Sequence, residues 1–233
     1  MATENPFVFG KAAEGKYFTD RIEDSKRLEA NLTHGINTIL ISPRRWGKTS
    51  LVKKVISGID REVAIPVFLD VFQCKSDYDF YQSFANAVIK QTSNKFDEWI
   101  EIAKTFLSNI TPKFSFGSDP MNDFSLSFEW NPDNNSETDI LQLPEKIAQK
   151  KNVRLIICLD EFQQIADFND SLTFQKKLRT VWQHQQNVTY CLFGSKKHLM
   201  ENIFNDKGMP FYKFGDMMFL KKIPTEEWTH FIC

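Results

Sequence analysis

The run Ser42-Pro43-Arg44-Arg45-Trp46-Gly47-Lys48-Thr49-Ser50 sets a lysine and two hydroxyls directly behind a glycine. It follows the apolar stretch Thr38-Ile39-Leu40-Ile41 and runs into a helical one, Ser50-Leu51-Val52. A phosphate-binding loop needs that strand–loop–helix setting: its backbone N–H groups turn inward as an anion nest, and the helix N-terminus adds its positive end. Gly47 lets the backbone approach a phosphate closely. Lys48 is placed to bridge the β- and γ-phosphates of a nucleotide, and the Thr49 hydroxyl is placed to ligate Mg2+. The pattern's usual first glycine is Ser42 here, a small residue that fits the turn provided its φ stays negative.

A second constellation closes another apolar run, Leu155-Ile156-Ile157-Cys158-Leu159-Asp160-Glu161. In a parallel α/β sheet the ligand crevice lies outside the carboxyl ends of the strands, so Asp160 is expected beside the loop 42–49. Asp160 suits a Mg2+ position reached largely through water, since that ion keeps part of its hydration shell. Glu161 suits orienting or deprotonating an attacking water. Taken alone, Asp160 also reads as a helix N-cap; the two motifs in this order favour hydrolysis of a nucleoside triphosphate, with ATP or GTP left open by the residues themselves. A third position is Ser195, behind the strand-like run Val188–Phe193. If that strand lies between the other two, Ser195 reaches the γ-phosphate or the water; capping the next helix is the equal alternative.

Five apolar or β-branched runs must position these residues: Asn37–Ser42, Val63–Val71, Val153–Leu159, Val188–Phe193 and Met218–Lys221. Helical patterns fall between them, which is the signature of a parallel sheet with crossover helices. They cover Arg21–Leu32, Thr49–Ile56, Tyr78–Gln91, Phe96–Ile110, Leu172–Gln185 and Lys196–Ile203. Phe80, Phe84, Ala87 and Val88 form a stripe that would face the sheet. Residues 112–130 break the rhythm, because Phe114 and Phe116, then Phe124, Leu126, Phe128 and Trp130, alternate around the turn residues Gly117–Pro120. They read as an inserted β-hairpin, followed by a loop over Asn131–Glu137.

The 22 Phe read as aromatic packing in core and hairpin. A net charge of −1 argues against generic binding to nucleic acid or anionic membranes. The start MATENPFVFGK lacks the basic and apolar regions of a signal peptide, and no apolar run approaches a membrane span. Cys74, Cys158, Cys191 and Cys233 form no CxxC pair, and the cytoplasm is the expected compartment. Thr225 reads as the N-cap of a helix whose stripe, Trp228, Phe231 and Ile232, has nothing to continue into, so a further domain is expected beyond Cys233.

The succession of Phe18-Thr19-Asp20-Arg21, PRRWGKTSL, LDEFQQI and a strand ending FGS resembles the archaeal-type ATPase family, within the STAND-related clades of AAA+ ATPases. The resemblance runs from about Phe9 to the end of the chain. It implies a three-layer α/β core with a five-stranded parallel sheet in the order 5-1-4-3-2, Mg-ATP on Ser42–Ser50, and the segment Tyr17–Arg21 near the adenine. It also implies a helical lid and a winged helix outside this chain. Oligomeric members carry an arginine finger after the fourth strand, yet no Arg follows Arg179 in this sequence, and Arg179 reads more readily as a surface or salt-bridging residue than as a finger. Arg44 and Arg45 either touch phosphate or hold neighbouring acidic groups.

The leading expectation is therefore an ATP-dependent switch with slow hydrolysis, controlling a protein partner or an appended domain and open to ATP-driven oligomerisation. A small-molecule kinase is less favoured, since no Arg-rich lid is visible. A structural nucleotide-binding module without turnover is the other alternative. Nucleic acid enters only through a missing winged helix.

Overall fold

The parallel sheet is built from short apolar runs that alternate with amphipathic helices, and the chain is long enough to cover both of its faces. The structure is a computed structural model that describes Gly15, Phe18 and residues 21–93, 95–107, 111–115, 125–129 and 136–225. In chain order the elements are α1 (Ile22–Thr33), β1 (Thr38–Ile41), α2 (Lys48–Gly58), β2 (Ala64–Asp70), α3 (Asp77–Thr92), α4 (Phe96–Phe106), β3 (Thr111–Ser115), β4 (Ser125–Glu129), α5 (Ser136–Lys151), β5 (Arg154–Asp160), α6 (Ser171–Trp182), β6 (Val188–Gly194), α7 (Lys197–Asn205) and β7 (Asp216–Phe219).

Five parallel strands pair in the order β2-β5-β6-β1-β7. Counting core strands only, this is 2-3-4-1-5, the expected 5-1-4-3-2 read from the other edge. The insertion is present as well, with β3 and β4 pairing antiparallel, Phe114 opposite Leu126. Its tip, with Phe116 and Phe124, and Trp130 lie outside the described residues, as do Thr19, Asp20 and the C-terminal run after Thr225.

Alternation along each central strand divides the core into two layers. Ile39, Ile41, Leu155, Ile157, Leu159, Tyr190 and Leu192 pack with α3 to α7, whereas Leu40, Ile156, Cys158, Cys191 and Phe193 pack with α1 and α2. β6 is buried along its whole length, as expected for a parallel strand covered on both faces. Cys158 and Cys191 sit opposite each other in register as buried free thiols. Phe80, Phe84 and Val88 of α3 are all buried against the sheet.

The sequence reading departs from the structure mainly at α5. That helix begins at Ser136, inside the expected loop to Glu137, and no helix is expected from 138 onward. Pro144 in its interior removes a backbone donor. Burial of Ile140, Leu141, Leu143 and Ile147 overrides that breaker, while Glu137 and Asp139 suit the positive end of the helix. α4 stops at Phe106 rather than reaching Ile110, and β7 starts at Asp216 because its pairing with Thr38 begins there. Ile22, the first apolar residue of α1, is 63% exposed, while Leu28 and Leu32 are buried. Among the described residues no helix is long and apolar enough to cross a membrane.

Trp182 at the end of α6 ties these layers together, stacking on Tyr190 of β6 at 4.2 Å between centroids and contacting Phe84, Phe162 and Phe211. Trp182→Ala is expected to cost about 3–5 kcal/mol, the range for emptying a buried aromatic site. Urea unfolding checks it, with the midpoint falling while the slope stays unchanged.

Candidate functional site

β1 and β5 flank β6, so the loop leaving β1 and the acidic pair ending β5 open on the same edge, one strand apart. Register carries this through, since Ile41 lies opposite Gly194 and Leu159 opposite Leu192. Val188–Gly194 is thus the intervening strand, as the sequence reading required for Ser195.

The loop 42–49 turns twice through left-handed backbone, at Arg45 (φ 65) and at Gly47 (φ 82). Gly47 meets its need for that conformation without strain, and a Cβ there would meet no protein atom within 4 Å. Arg45 adopts it with a side chain, a conformation that non-glycine residues rarely take. Ser42 is buried and has no positive φ, the condition under which serine fits the turn. Its hydroxyl donates to the Pro43 carbonyl at 3.0 Å. Lys48 and Thr49 open α2, so their side chains project from the helix start over the end of β5.

Lys48 Nζ lies 2.9 Å from Glu161 Oε1 and 3.8 Å from Asp160 Oδ1. The Thr49 hydroxyl donates to Asp160 Oδ2 at 2.7 Å, and the Glu161 amide donates to Asp160 Oδ1 at 2.8 Å. Ser195 Oγ donates to Glu161 Oε2 at 2.8 Å. Ser195 does not cap α7, whose N-cap position is Lys196. Lys48, Thr49, Asp160, Glu161 and Ser195 are therefore brought together.

Burial pushes Asp160 upward, and this outweighs the Thr49 hydroxyl, Lys48 and the Glu161 amide that favour its charged form. Burial pushes Glu161 upward too, but donors from Lys48, Gln163 and Ser195 overcome it and hold the group below its ordinary value. Two adjacent carboxylates are thus driven in opposite directions by their surroundings.

Other expected residues lie differently. Pro43, Arg44 and Arg45 are exposed. Trp46 is half-buried and Ser50 buried at the start of α2. Arg179 stacks over the Phe214 ring at 4.9 Å, and burial lowers its pKa. Tyr17 lies outside the described residues.

Three further contributors complete the site; of these, only Arg21 was singled out by the sequence, within the segment expected near the adenine. Arg21 is buried at the left-handed N-cap of α1 and donates from Nη2 to the Trp46 carbonyl at 3.0 Å, so it braces the loop. Gln163 follows Glu161 in a 3-10 turn (Phe162–Asp167) and donates to Glu161 Oε2 at 2.5 Å. Gly194 makes room for that amide, because a Cβ would lie 1.8 Å from Gln163 Oε1. The string LDEFQQI contains Gln163, but only the turn after Glu161 shows that its side chain folds back. Among the described residues, no three His, Cys, Asp or Glu side chains could together hold a metal ion. The donor set instead suits Mg2+, which takes one or two protein oxygens and completes its shell with water and phosphate.

No family model matches the chain, and no curated protein matches it. Solved structures do. The Walker-type ATPase PABY2304 of Pyrococcus abyssi superposes with a TM-score of 0.64 at 15% identity, over 97% of this chain and 60% of that one. The ORC2 protein of Aeropyrum pernix, in ADPNP-ADP complexes, gives 0.57 at 14% identity, over 95% and 54%. The ORC1 protein of Aeropyrum pernix, in complex with DNA, gives 0.56 at 11%, over 94% and 49%. The chain thus spans about half to three-fifths of the length of these structures, and the likeness establishes the AAA+ type of P-loop fold.

Asp160→Asn is expected to stabilise the nucleotide-free protein at neutral pH. A carboxyl whose folded pKa is raised costs stability once pH climbs from its ordinary value of 3.8 through the folded value. The Thr49 hydroxyl can turn to accept from the new amide. A rise of about 2–4 °C in Tm at pH 7.5, shrinking as pH falls towards 4, is the expected result by calorimetry.

Proposed function

We propose that this chain binds Mg-ATP and hydrolyses it slowly, as a nucleotide-gated switch of the archaeal-type AAA+ ATPase kind. The observation that carries the reading is the pairing of Lys48 with Glu161 and of Thr49 with Asp160 across two loop ends. Few arrangements other than phosphoryl chemistry need a lysine, a hydroxyl and two carboxylates at the mouth of a phosphate-binding loop.

In this reading Ser42–Ser50 wrap the phosphates with backbone N–H groups, and Lys48 leaves Glu161 to bridge the β- and γ-phosphates. Thr49 and Asp160 hold Mg2+, which when bound neutralises charge on the phosphate oxygens. Glu161, released from Lys48, takes the proton of a water whose oxygen bonds to the γ-phosphorus. The bond from that phosphorus to the β–γ bridging oxygen breaks, and ADP leaves with the electron pair. Ser195 holds the other oxygen of Glu161. The slow rate is part of the proposal because Arg179, the last arginine of these 233 residues, rests on the Phe214 ring. The partner of the switch is a protein or an appended domain, and ATP-driven self-association is its natural output. The cytoplasm is its proposed compartment.

Phosphate release by wild type, Lys48→Ala and Glu161→Gln tests the reading. Both variants are expected to fall at least about 100-fold, the contribution typical of a positioned base. Glu161→Gln should bind ATP at least as tightly as wild type in an equilibrium assay, because Lys48 no longer has to leave a carboxylate. Equal turnover in all three proteins would remove the ATPase assignment, while ATP binding without any turnover would leave a structural nucleotide module. A mass measurement with and without ATP reads the switch, and an unchanged mass in both states speaks against self-association.

A further inference from the structure

We infer that Gln163 is a positioning residue for Glu161: its buried amide, together with Ser195, grips Oε2 and leaves Oε1 to face the attacking water. The inference rests on the hydrolytic reading above. Gln163 is 2% exposed, and its Nε2 and the Ser195 hydroxyl converge on the same carboxylate oxygen at 2.5 and 2.8 Å. Oε1 of the carboxylate is held by Lys48 instead.

This division of labour matters because the two grips differ in what competes for them. Phosphate draws Lys48 away by charge, whereas a neutral amide and hydroxyl have no such competitor. When Lys48 leaves, the carboxylate keeps its orientation through Oε2. With Ser195 alone, one contact would let the group rotate about its terminal bond.

Two observations show that the fold bears a cost to keep this amide. Gln163 Oε1 is buried with no hydrogen-bond partner, a loss that an apolar residue of similar size would avoid. β6 also ends in a glycine at the one place where a Cβ would meet that oxygen at 1.8 Å, and Met200 Sδ at 2.8 Å. Gln163 and Gly194 therefore form a pair, and Ser195 follows directly from the same strand end.

Gln163→Met keeps the volume and removes the orphan oxygen, so it should fold at least as stably as wild type. It is expected to lower kcat about 10–100-fold while KM for ATP moves less than about threefold, since misalignment of a reacting group acts on the chemical step. Gly194→Ala should reproduce the loss by displacing the amide. Gln163→Ala/Gly194→Ala should be no slower than Gln163→Ala alone, because both act through one contact. Gln164→Ala, whose side chain meets only Asp167, should match wild type. A Gln163→Met enzyme within twofold of wild-type kcat, or additive losses in the double variant, would overturn the inference while leaving the ATPase assignment intact. Should Gln163→Met not fold, the Gln163→Ala pair decides by the same criteria. Absence of phosphate release from wild type would remove both.

Discussion

A lysine ammonium buried against two adjacent carboxylates is the contact around which this domain is arranged. Lys48, Asp160 and Glu161 each have side chains less than one-fifth exposed. Burying such charges is expensive unless each finds a partner, and removing one partner leaves the others stranded. The partners come from residues far apart in the chain, so nothing local can satisfy them. They meet because β1 and β5 both stop at the carboxyl edge of a parallel sheet with β6 between them. The site is thus a consequence of strand order, and strand order follows from burying two apolar faces beneath two helical layers.

Part of the backbone strain lies at the same place, with Asn152, Asp170 and Lys213 left-handed elsewhere. Arg21, Arg45 and Glu161 all hold left-handed φ values with side chains attached. Each such residue costs of order 1–3 kcal/mol and persists only where its surroundings over-determine it. At Glu161 the following residue, Phe162, is buried and packs on Trp182 and Phe211, which pins the turn after β5. The strain at Glu161 folds the following turn back, which is how Gln163 reaches the carboxylate.

The proposed switch follows from what this arrangement holds. In the described state Lys48 is satisfied by the carboxylates, so phosphate binding must exchange one set of charge pairs for another. Arg179, the last arginine of these 233 residues, rests on the Phe214 ring. The nucleotide-gated switch proposed above is one in which that exchange of charge pairs reports on bound phosphate.

The phosphate-loop pattern, the acidic strand end and the five-strand alternation were all legible in the sequence. Each is a local code: glycine and lysine at a strand–helix junction, carboxylates after an apolar run, periods of two or nearly four. The hairpin was legible for the same reason. Helix α5 was not, because Pro144 breaks the local pattern and only burial of Ile140, Leu143 and Ile147 in the shared core restores it. The grip on Glu161 was not legible either, since Gln163 and Gly194 have no spacing in common and meet only when β5 and β6 pair in register. Residue types and their spacing determined which chemistry this chain can attempt. The sheet decided which oxygen each donor holds, because hydrogen bonds across strands depend on register and on turns that no local run of residues specifies.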